Sequence, residues 1–353
     1  MAKNDMSKSA SGMDVIENID VNKLTTPSPV KVISEMIGNP TKGTSRKTIV
    51  SAMTSANNGN LSANITEMEN TNLKELQELM KTAQIISFET SKYRKDLHIR
   101  DISRKVDGCI KGGSLDKSGK VKEGSRAKTG LAFVYVEKPD TAVMLMEHEP
   151  GSVHDLKTIL NANGKAPNTS LFRPFLPVPF ISRNIKREGA LCQGWGCISL
   201  VDGNKESQKT EVKIAVLEAD IKTTIIPAKP KPELWMLDIT KQINEVLKKS
   251  SKSYGHVVIC TPHTTVGITI NKEESISCFK NTLNAIAPES INYKHNKTAG
   301  DNNGKSHLMA EFIGNFIVLN FKNNKLQLDD NRIYAIDCDV QIPREREIIT
   351  AII

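Results

Sequence analysis

Three histidines that could do chemistry stand close together in the last third of this 353-residue chain: His263, His295 and His307. Imidazole binds zinc-like ions, and its charge changes near neutral pH. Carboxylates and one amide from the same stretch could extend such a site: Asn271, Glu273, Glu274, Asp301, Asp337 and Asp339. These residue types allow a metal site or an acid/base site. Their spacing also fits ordinary surface residues, so both interpretations stay open.

The elements around these histidines predict an α+β domain. In HVVICTPHTTVGITINKEE (256–274), two β-branched runs flank Pro262 and His263, which places the histidine at a break in a strand pair, where its ring can face a cleft. A helix precedes this run, a second helix with one apolar face follows it, and a polar loop then holds His295 and His307. Four strands follow: NFIVLNF, NKLQL, IYAIDCDV and REIITAI. This order of strands, helices and strands is typical of an α+β fold.

The same segments resemble the YjbQ-type family, whose members are described as secondary thiamine-phosphate synthases. The specific match is the run TPHTTVGITINKEE, and the runs SHLMAEFIGNFIVLNFKNNKLQL and IPREREIITAI support it. The similarity covers residues 220–353, close to the length of a family member, so we place a domain boundary near residue 219 rather than inside the Pro-rich block at 227–233. The resemblance implies a compact α+β domain that assembles as a homotrimer, with its polar site at or near a subunit boundary.

The resemblance also implies roles for individual residues. The catalytic residues would be His263, His307, Glu274 and Arg344, with Glu273 as the alternative acid. The substrate-binding residues would be Thr264, Asn271 and Arg346. The ligands of a divalent metal ion, Mg or Zn, would be His263, His295 and His307. The substrate would be a phosphorylated small molecule, because the transferase reaction assigned to the family joins a pyrimidine diphosphate to a thiazole phosphate and releases pyrophosphate.

The chain departs from the family pattern at one turn. Family members carry Gly-Thr-Trp-Gln where this chain has Asp329, Asp330, Asn331 and Arg332, and the usual Phe-Asp-Gly-Pro-Arg ending has become Asp339-Val340-Gln341-Ile342-Pro343-Arg344. The loss of an aromatic wall and an amide could abolish the family's activity or change its substrate. The two new aspartates could bind a cation, although an exposed turn is the simpler interpretation.

The N-terminal part of the chain has a different composition. Ser, Thr, Asn and Lys dominate residues 1–66, which predicts a disordered tail, and apolar residues at helical spacing between Asn72 and Ile85 predict one amphipathic helix. No apolar run approaches the roughly 20 residues of a membrane span, and the first residues lack the core of a signal peptide, so we expect a soluble, intracellular protein. Six scattered cysteines without a CxxC pair predict reduced thiols that mostly pack in the core.

Residues 67–219 are predicted to form a β-rich domain. The apolar runs 131–136 and 141–146 are separated by a turn-like sequence, which predicts a hairpin, and the proline-punctuated run LFRPFLPVPFISR predicts an edge strand or a crossing loop. His148 and His154 lie among acidic residues, so either a metal site or a polar loop fits them. No firm catalytic signature occurs in this segment.

A second, weaker resemblance suggests another function for the first half. The apolar strand ending at Asp202, together with a basic approach segment, is similar to plant-virus cell-to-cell movement proteins of the thirty-kilodalton superfamily. Residues 92–128 hold 12 Lys or Arg against 5 Asp or Glu, and the net charge of the chain is +8. Under this interpretation, the residues that would bind nucleic acid through its phosphates are Arg94, Lys95, Arg100, Arg104 and Lys105.

This alternative gives the two halves different roles. The protein would be a nucleic-acid-binding movement or interaction protein, Asp202 would be a structural turn residue, and the C-terminal domain would supply only trimeric assembly. A β-sandwich interaction module with an ordinary charged surface is the simpler explanation of the same first-half features. The sequence leaves these alternatives beside the transferase interpretation.

Overall fold

The computed structural model describes residues 84–90, 97–112, 129–138, 140–161, 175–181, 196–204, 209–229 and 234–353. The predicted tail at 1–66 and most of the predicted helix at 72–85 lie outside these residues. The end of that helix is wrong, because Ile85 belongs to a strand that is paired along its length with a later strand. The β-branched pair in QIISFE fits a pleated strand, and sheet pairing outweighs the helical spacing that precedes it.

Seven strands and two helices are described in the first half. They are β1 (Gln84–Glu89), β2 (His98–Asp101), α1 (Ser103–Gly112), β3 (Thr129–Tyr135), β4 (Thr141–Glu147), α2 (Pro150–Asn161), β5 (Phe175–Ile181), β6 (Gly196–Asp202) and β7 (Glu211–Glu218). The strands form two antiparallel sheets, one in the order β1-β7-β3-β5 and one in the order β2-β6-β4. The first half is therefore β-rich, as its sequence predicts.

The predicted hairpin at 131–146 is wrong in its pairing. Both strands form, but β3 pairs with β5 and β7 while β4 pairs with β6 in the other sheet. Both strands are apolar on nearly every residue, so each fits a sheet interior, and the short connection carries the chain from one sheet to the other. The prediction of a proline-rich edge is confirmed, since β5, with Pro177 and Pro179, is the outer strand of its sheet.

The second half is the α+β unit that its sequence predicts. Its elements are β8 (Asp220–Ile226), β9 (Trp235–Asp238), α3 (Thr240–Lys248), β10 (Tyr254–Cys260), β11 (Val266–Asn271), a short 3-10 helix (Glu273–Ser275), α4 (Ile276–Ile286), α5 (His295–Thr298), α6 (Gly304–Ile313), β12 (Phe316–Lys322), β13 (Lys325–Leu326), β14 (Arg332–Asp337) and β15 (Arg346–Ile352). The sheets have the orders β13-β12-β10-β15-β8 and β11-β14-β9.

Each half has an apolar core between its two sheets. In the first half, Val106 of α1, Val134 of β3 and Leu145 of β4 belong to one buried cluster. In the second half, Ile259 of β10 and Ile268 of β11 belong to another. Burying each such side chain contributes roughly 1.5–3 kcal/mol relative to leaving it in water, so each half has a substantial core of its own.

The two halves also pack against each other over two surfaces. Phe133 and Leu217 from the larger sheet of the first half share a buried cluster with Val258 and Ile353 from the larger sheet of the second half. Helix α2 of the first half packs against α5 and α6 of the second. This second contact brings the end of β4 beside α5 and α6, so His295 and His307 lie in helices and not in the polar loop that the sequence predicts.

Four of the cysteines in the described part of the chain are buried: Cys109, Cys197, Cys260 and Cys338. Cys278 is exposed, and all five are free thiols. Burial in apolar surroundings raises the pKa of the Cys260 thiol to about 12, which fits a packing role. Among the described helices, none combines the length and the apolar character that crossing a membrane requires.

Candidate functional site

A polar cleft of about 660 Å³ lies where α2 and the end of β4 meet the second half. The first half lines it with Glu147 and Glu149. The residues of the second half that line it come from loops and from the ends of helices and strands. They are His263, Thr264, Thr265, Thr298, Ala299, Asp301, Asn303, His307, Arg344, Glu345 and Arg346. Carboxylates, imidazoles and guanidinium groups thus share one concave surface, which is the usual form of a binding site for a small polar ligand.

Glu147 and His307 form a close pair across the boundary between the halves. Glu147 Oε2 lies 2.9 Å from His307 Nε2, and both side chains are largely buried. Burial alone would raise the pKa of Glu147, but the hydrogen bond to His307 and the charges of His307 and His295 outweigh it, so the pKa is lowered. His307 Nδ1 is buried and has no hydrogen-bond partner among the residues that the structure describes.

Glu147, His295 and His307 form the one group in the described part of the chain whose side chains could together hold a metal ion. Their ligand atoms lie within 4.8 Å of one another. Two imidazoles and a carboxylate suit zinc or manganese better than magnesium, which prefers oxygen ligands. The unpartnered nitrogen of His307 is a donor of the kind such an ion would use, so the residues fit a transition-metal-like ion.

His295 is fully buried and is held at both ring nitrogens. Its Nδ1 lies 2.9 Å from Ser152 Oγ and 3.0 Å from Glu149 Oε2. Its Nε2 lies 2.8 Å from Asn303 Oδ1 and 3.0 Å from Asp301 Oδ1. Burial alone would lower the pKa of His295, but the acceptors at Glu149 and Asn303 and the nearby carboxylates raise it. The contacts of its two ring nitrogens therefore join the two halves and favour the protonated ring.

Glu149 is positioned by the first turn of α2. The backbone amides of Gly151 and Ser152 donate to its carboxylate at 2.8 and 3.0 Å, as in a capped helix N-terminus. Burial alone would raise the pKa of Glu149, but hydrogen bonds from Thr298, from the two amides and from His295 lower it to about 2. A charged carboxylate is thereby fixed at the wall of the cleft.

The close approach of α2 to α5 depends on a glycine. A Cβ at Gly151 would lie 2.5 Å from the backbone nitrogen of His295 and 2.3 Å from Thr298 Oγ1. On the other side of the contact, Asp155 of α2 accepts hydrogen bonds from the amides of Lys294 and His295 at 2.9 and 3.0 Å. The absent side chain and the capping carboxylate together place His295 against the first half.

His263 lies in the same cleft but outside the three-residue cluster. Its Nε2 accepts a hydrogen bond from the Glu347 amide at 2.9 Å. Burial, followed by the charges of Arg346 and Arg344, lowers its pKa to about 4, although Asp337 opposes the shift. The ring is therefore neutral at pH 7 and carries its hydrogen on Nδ1. The sequence predicts His263 as a metal ligand together with His295 and His307; in the structure, the residue that lies close to these two histidines is Glu147.

The two arginines before and at the start of β15 have different surroundings. Arg346 is buried, and its Nε and a terminal nitrogen donate to the two oxygens of Asp337 at 2.7 and 2.9 Å. Its charge is therefore compensated within the fold. Arg344 lines the cleft and is exposed, and no described carboxylate lies within ion-pair distance of it. Arg344 is thus the guanidinium that an anionic ligand could reach.

The comparisons with known proteins match the second half. The family model for "UPF0047 protein YjbQ-like" covers residues 225–353. A UPF0047 protein from Archaeoglobus fulgidus is 31% identical over 117 residues, which cover 32% of this chain and 87% of that protein. The chain belongs to the YjbQ family. A UPF0047 protein from Methanothermobacter thermautotrophicus is 30% identical over 132 residues, covering 36% of this chain and 90% of that protein.

Solved structures match over the same part of the chain. A YbjQ-like protein of unknown function from Sulfolobus solfataricus is 24% identical and aligns with a TM-score of 0.34, covering 38% of this chain and 98% of that one. The family resemblance inferred from the TPHTTVGITINKEE run is confirmed by the family model and by the two UPF0047 relatives. The first half lies outside the region that the family model matches.

Within the YjbQ domain, the structure gathers part of the predicted residue set. Thr264 lines the cleft with the histidine and arginine positions already described. Glu273 and Glu274 instead line a second depression of about 730 Å³ beside α4. Asn271 ends β11, where its backbone pairs with that of Arg332. The acid and amide predicted for the active site are thus not brought to the histidines.

The turn that departs from the YjbQ pattern is on the surface. Asp329 and Asp330 are exposed, and Asp329 has a positive φ of 48°, a conformation that aspartate tolerates in turns. The side chain of the next residue, Asn331, donates to the Leu328 carbonyl at 3.1 Å. This arrangement agrees with the exposed-turn interpretation of the two aspartates.

Sequence reasoning considers Glu147 and Glu149 only as acids near His148 and His154 and does not connect them with the histidines of the second half. The segment MEHEP drew attention through His148, but His148 Nδ1 contacts Ser199 Oγ at 3.3 Å, and His154 is mainly exposed beside Asp155. The available signal was two acids at the end of a buried strand, immediately before a helix. Such a position exposes side chains at a sheet edge, but nothing in the sequence says which element will face them.

Three of the five residues considered for nucleic-acid binding lie in the described part of the chain. Arg94 and Lys95 lie outside the described residues, Arg100 is in β2, and Arg104 and Lys105 are on α1. The Lys105 ammonium group lies 5.5 Å from the centre of the Phe88 ring. Asp202 is buried and accepts hydrogen bonds from its surroundings, which fits the structural role that its sequence context suggests.

Proposed function

We propose that the cleft binds a phosphorylated small molecule together with a divalent cation and carries out group transfer, the type of chemistry that the family resemblance implies. The observation that carries this proposal is that one cleft holds both possible metal ligands and a guanidinium group that could bind an anion. Glu147 and His307, which with buried His295 form a cation-binding type of cluster, line the same cleft as the uncompensated guanidinium of Arg344.

Arg344 and His263 would contact the anionic part of the substrate. A guanidinium presents paired N–H donors that match the oxygens of a phosphate. The neutral His263 ring adds an Nδ1 hydrogen, since its Nε2 is engaged by the Glu347 amide. A proton donor that is not itself charged can stabilise a departing diphosphate oxygen without repelling the neighbouring arginines.

Glu147, His295 and His307 would hold the cation. When bound, a divalent cation supplies positive charge to the phosphate oxygens and lowers the cost of gathering anions in the cleft. Glu149 would stay outside this ligand set, because its carboxylate is committed to the first turn of α2. Cation binding would require a ring nitrogen of His295 that carries no proton.

The test measures binding of Mn²⁺ and of inorganic pyrophosphate to the full chain by isothermal titration. We expect Mn²⁺ to bind and to strengthen the binding of pyrophosphate. Glu147→Gln should weaken Mn²⁺ binding at least tenfold, because it removes an anionic ligand. Arg344→Gln should leave Mn²⁺ binding unchanged and weaken pyrophosphate binding at least tenfold.

Glu274→Gln is the matched control. This residue is the acid that the family motif suggests, yet it lies beside α4 and not in the cleft. We expect the variant to bind both ligands as the wild type does. If Glu274→Gln weakens Mn²⁺ binding while Glu147→Gln does not, the proposed cation site is wrong.

A further inference from the structure

The two halves have the same order of strands in both of their sheets. The order β1-β7-β3-β5 in the first half corresponds to β8-β15-β10-β12 in the second, where β13 is an addition at the edge. The order β2-β6-β4 corresponds to β9-β14-β11. The helices also correspond, because α1 and α3 precede the third strand of their halves while α2 and α4 follow the fourth.

The correspondence extends to the register of individual residues. Corresponding strands often have equal lengths, seven residues in β3 and β10 and four in β2 and β9. At matching positions of the central strands, Phe133 pairs with Pro177 and Ala215, and Val258 pairs with Val318 and Ala351. In the smaller sheets, Asp202 pairs with His98 and Thr141, and Asp337 pairs with Trp235 and Val266. The same assignment of first-half residues to second-half residues therefore agrees with the register of all of these strand pairs.

Hydrogen bonds outside the ladders repeat as well. At the start of α1, Ser103 Oγ accepts from the Ile198 amide at 2.8 Å. At the start of α3, Thr240 Oγ1 accepts from the Ile333 amide at 2.9 Å. Ile198 and Ile333 occupy matching positions in β6 and β14. A shared topology alone does not require the same side-chain contact at the same residue.

We propose that the first half is a second, diverged copy of the YjbQ fold that serves as an in-chain partner. In this proposal, the copy has lost the residues for a cleft of its own and supplies Glu147 and Glu149 to the cleft of the second half. The role of the first copy as a partner that supplies Glu147 and Glu149 rests on the function proposed above. The structural correspondence of the two copies does not.

The first argument for lost function is a substituted ion pair. Asp202 and Asp337 occupy matching positions and are both buried. In the second half, Arg346 pairs with Asp337 at 2.7 Å. In the first half, the position of Arg346 is taken by Thr210, whose hydroxyl donates to Asp202 at 2.8 Å, and the positive charge comes from Lys138 at 3.3 Å.

Lys138 stands at the position that His263 has in the second half. Both residues are third in the five-residue connections 136–140 and 261–265, which join matching strands. The first copy therefore has an ammonium group bound to a buried aspartate where the second has a neutral imidazole lining a cleft. The aspartate has kept a cationic partner, but the imidazole and the arginine of the cleft are gone.

The second argument comes from the connection that carries the other histidines. In the second half, residues 287–315 join α4 to β12 and include His295 and His307. In the first half, the matching connection is residues 162–174, which contain no histidine. The first copy thus lacks the imidazoles that a cluster of this kind needs.

The helical contact between the copies is head to tail, whereas the contact between the larger sheets joins matching residues such as Phe133 and Val258. The first half packs β4 and α2 against α5 and α6 of the second half. The matching face of the second half, built by β11 and α4, still exposes Ser277 and Cys278. Because such a contact uses different surfaces on the two copies, it completes one cleft and leaves the other without a partner.

The correspondence is tested by a double-mutant cycle in the full chain, with urea unfolding as the measurement. Lys138→His should lower the urea midpoint, because it weakens the cationic partner of buried Asp202. Thr210→Arg should also lower it, since it places a second cation beside Lys138. Together they recreate the arrangement of the second copy, so the double variant should have a higher midpoint than either single variant.

Lys209→His combined with Thr210→Arg is the control, because Lys209 forms an exposed pair with Glu89 and should show no such recovery. If a single variant does not fold, recovery of folding in the double variant supports the correspondence. The reverse cycle, His263→Lys with Arg346→Thr, gives a second measurement. If neither double variant recovers what its single variants lose, the proposed correspondence is overturned.

Equilibrium dialysis with Mn²⁺ tests the role of the first copy. One bound ion per chain, lost in both Glu147→Gln and His307→Asn, is the expected result. Two ions per chain, with the second unaffected by these changes, would overturn the in-chain partner role. No bound ion would count against the proposed function and against the role together, and the urea cycle would still decide the correspondence.

Discussion

Glu147 Oε2 lies 2.9 Å from His307 Nε2, so a carboxylate of the first half and an imidazole of the YjbQ domain form one buried pair. His295 lies beside it, with its ring centre 4.8 Å from that of His307. The site therefore exists only where the halves meet. Its integrity is coupled to the packing of α2 against α5 and α6.

Glu147→Gln should destabilise the chain even without a ligand. The amide carries no negative charge, so it weakens the contact with His307 Nε2 and leaves that ring buried with poor partners. We expect a loss of about 1–3 kcal/mol in the free energy of unfolding, measured by urea denaturation at pH 7. Glu137→Gln, which removes an exposed ion pair with Lys213, should cost less than about 1 kcal/mol. Equal losses in the two variants would contradict a buried pair at the boundary.

His263 should make the stability depend on pH between about 4 and 6.5. Its pKa in the folded chain is lowered to about 4, so within this window the unfolded chain binds a proton that the folded chain does not. The folded state therefore loses stability as the pH falls, by roughly 3 kcal/mol in total. Unfolding should be followed at several pH values in the wild type and in His263→Asn.

The His263→Asn variant should show a flatter pH dependence across this window. His154→Asn is the control, because that side chain is 61% exposed. A wild type and a His263→Asn variant with the same pH profile would show that the ring is not held neutral by the fold.

The strands of the fold were predictable because their apolar, β-branched runs are long enough to identify. LAFVYV and TAVMLM form strands as their composition indicates, but their pairing could not be read from their closeness in the sequence. A short connection between two fully apolar strands serves a hairpin and a crossing between sheets equally well. Pairing depends on burial of both faces, which is a property of the whole half.

The site was predictable where one local motif carries it. His263, Thr264 and Arg344 reach a common cleft, because the loops after β10 and before β15 lie at neighbouring strands. Glu147 was not predictable, since it enters the cleft only after one half packs on the other. The motif acid Glu274 lies beside α4 and not beside these histidines, and in the proposed arrangement the strand end that faces them belongs to the other copy.

Arg346→Met should be strongly destabilising. The change leaves the buried carboxylate of Asp337 without the guanidinium that donates to both of its oxygens. Breaking a buried ion pair by removing one partner costs about 3–5 kcal/mol, which thermal or urea unfolding would detect. Arg332→Met is the matched control, because Arg332 also starts a strand and pairs with an aspartate, Asp238, but at the surface. A similar loss in both variants would mean that burial does not set the strength of the Arg346 pair.

Gly151→Ala and Gly108→Ala should have opposite effects on stability, although both glycines are in helices. At Gly151, the new methyl group would lie 2.5 Å from backbone atoms of His295, so α2 and α5 must separate. We expect a loss of about 1–3 kcal/mol in unfolding free energy, together with weaker Mn²⁺ binding. At Gly108 nothing lies within 4 Å of the new methyl group, and alanine is the better helix former, so a gain of up to about 1 kcal/mol is expected. If Gly151→Ala is as stable as Gly108→Ala, the close approach of α2 to α5 does not position His295, and the histidine must be held by its hydrogen bonds alone.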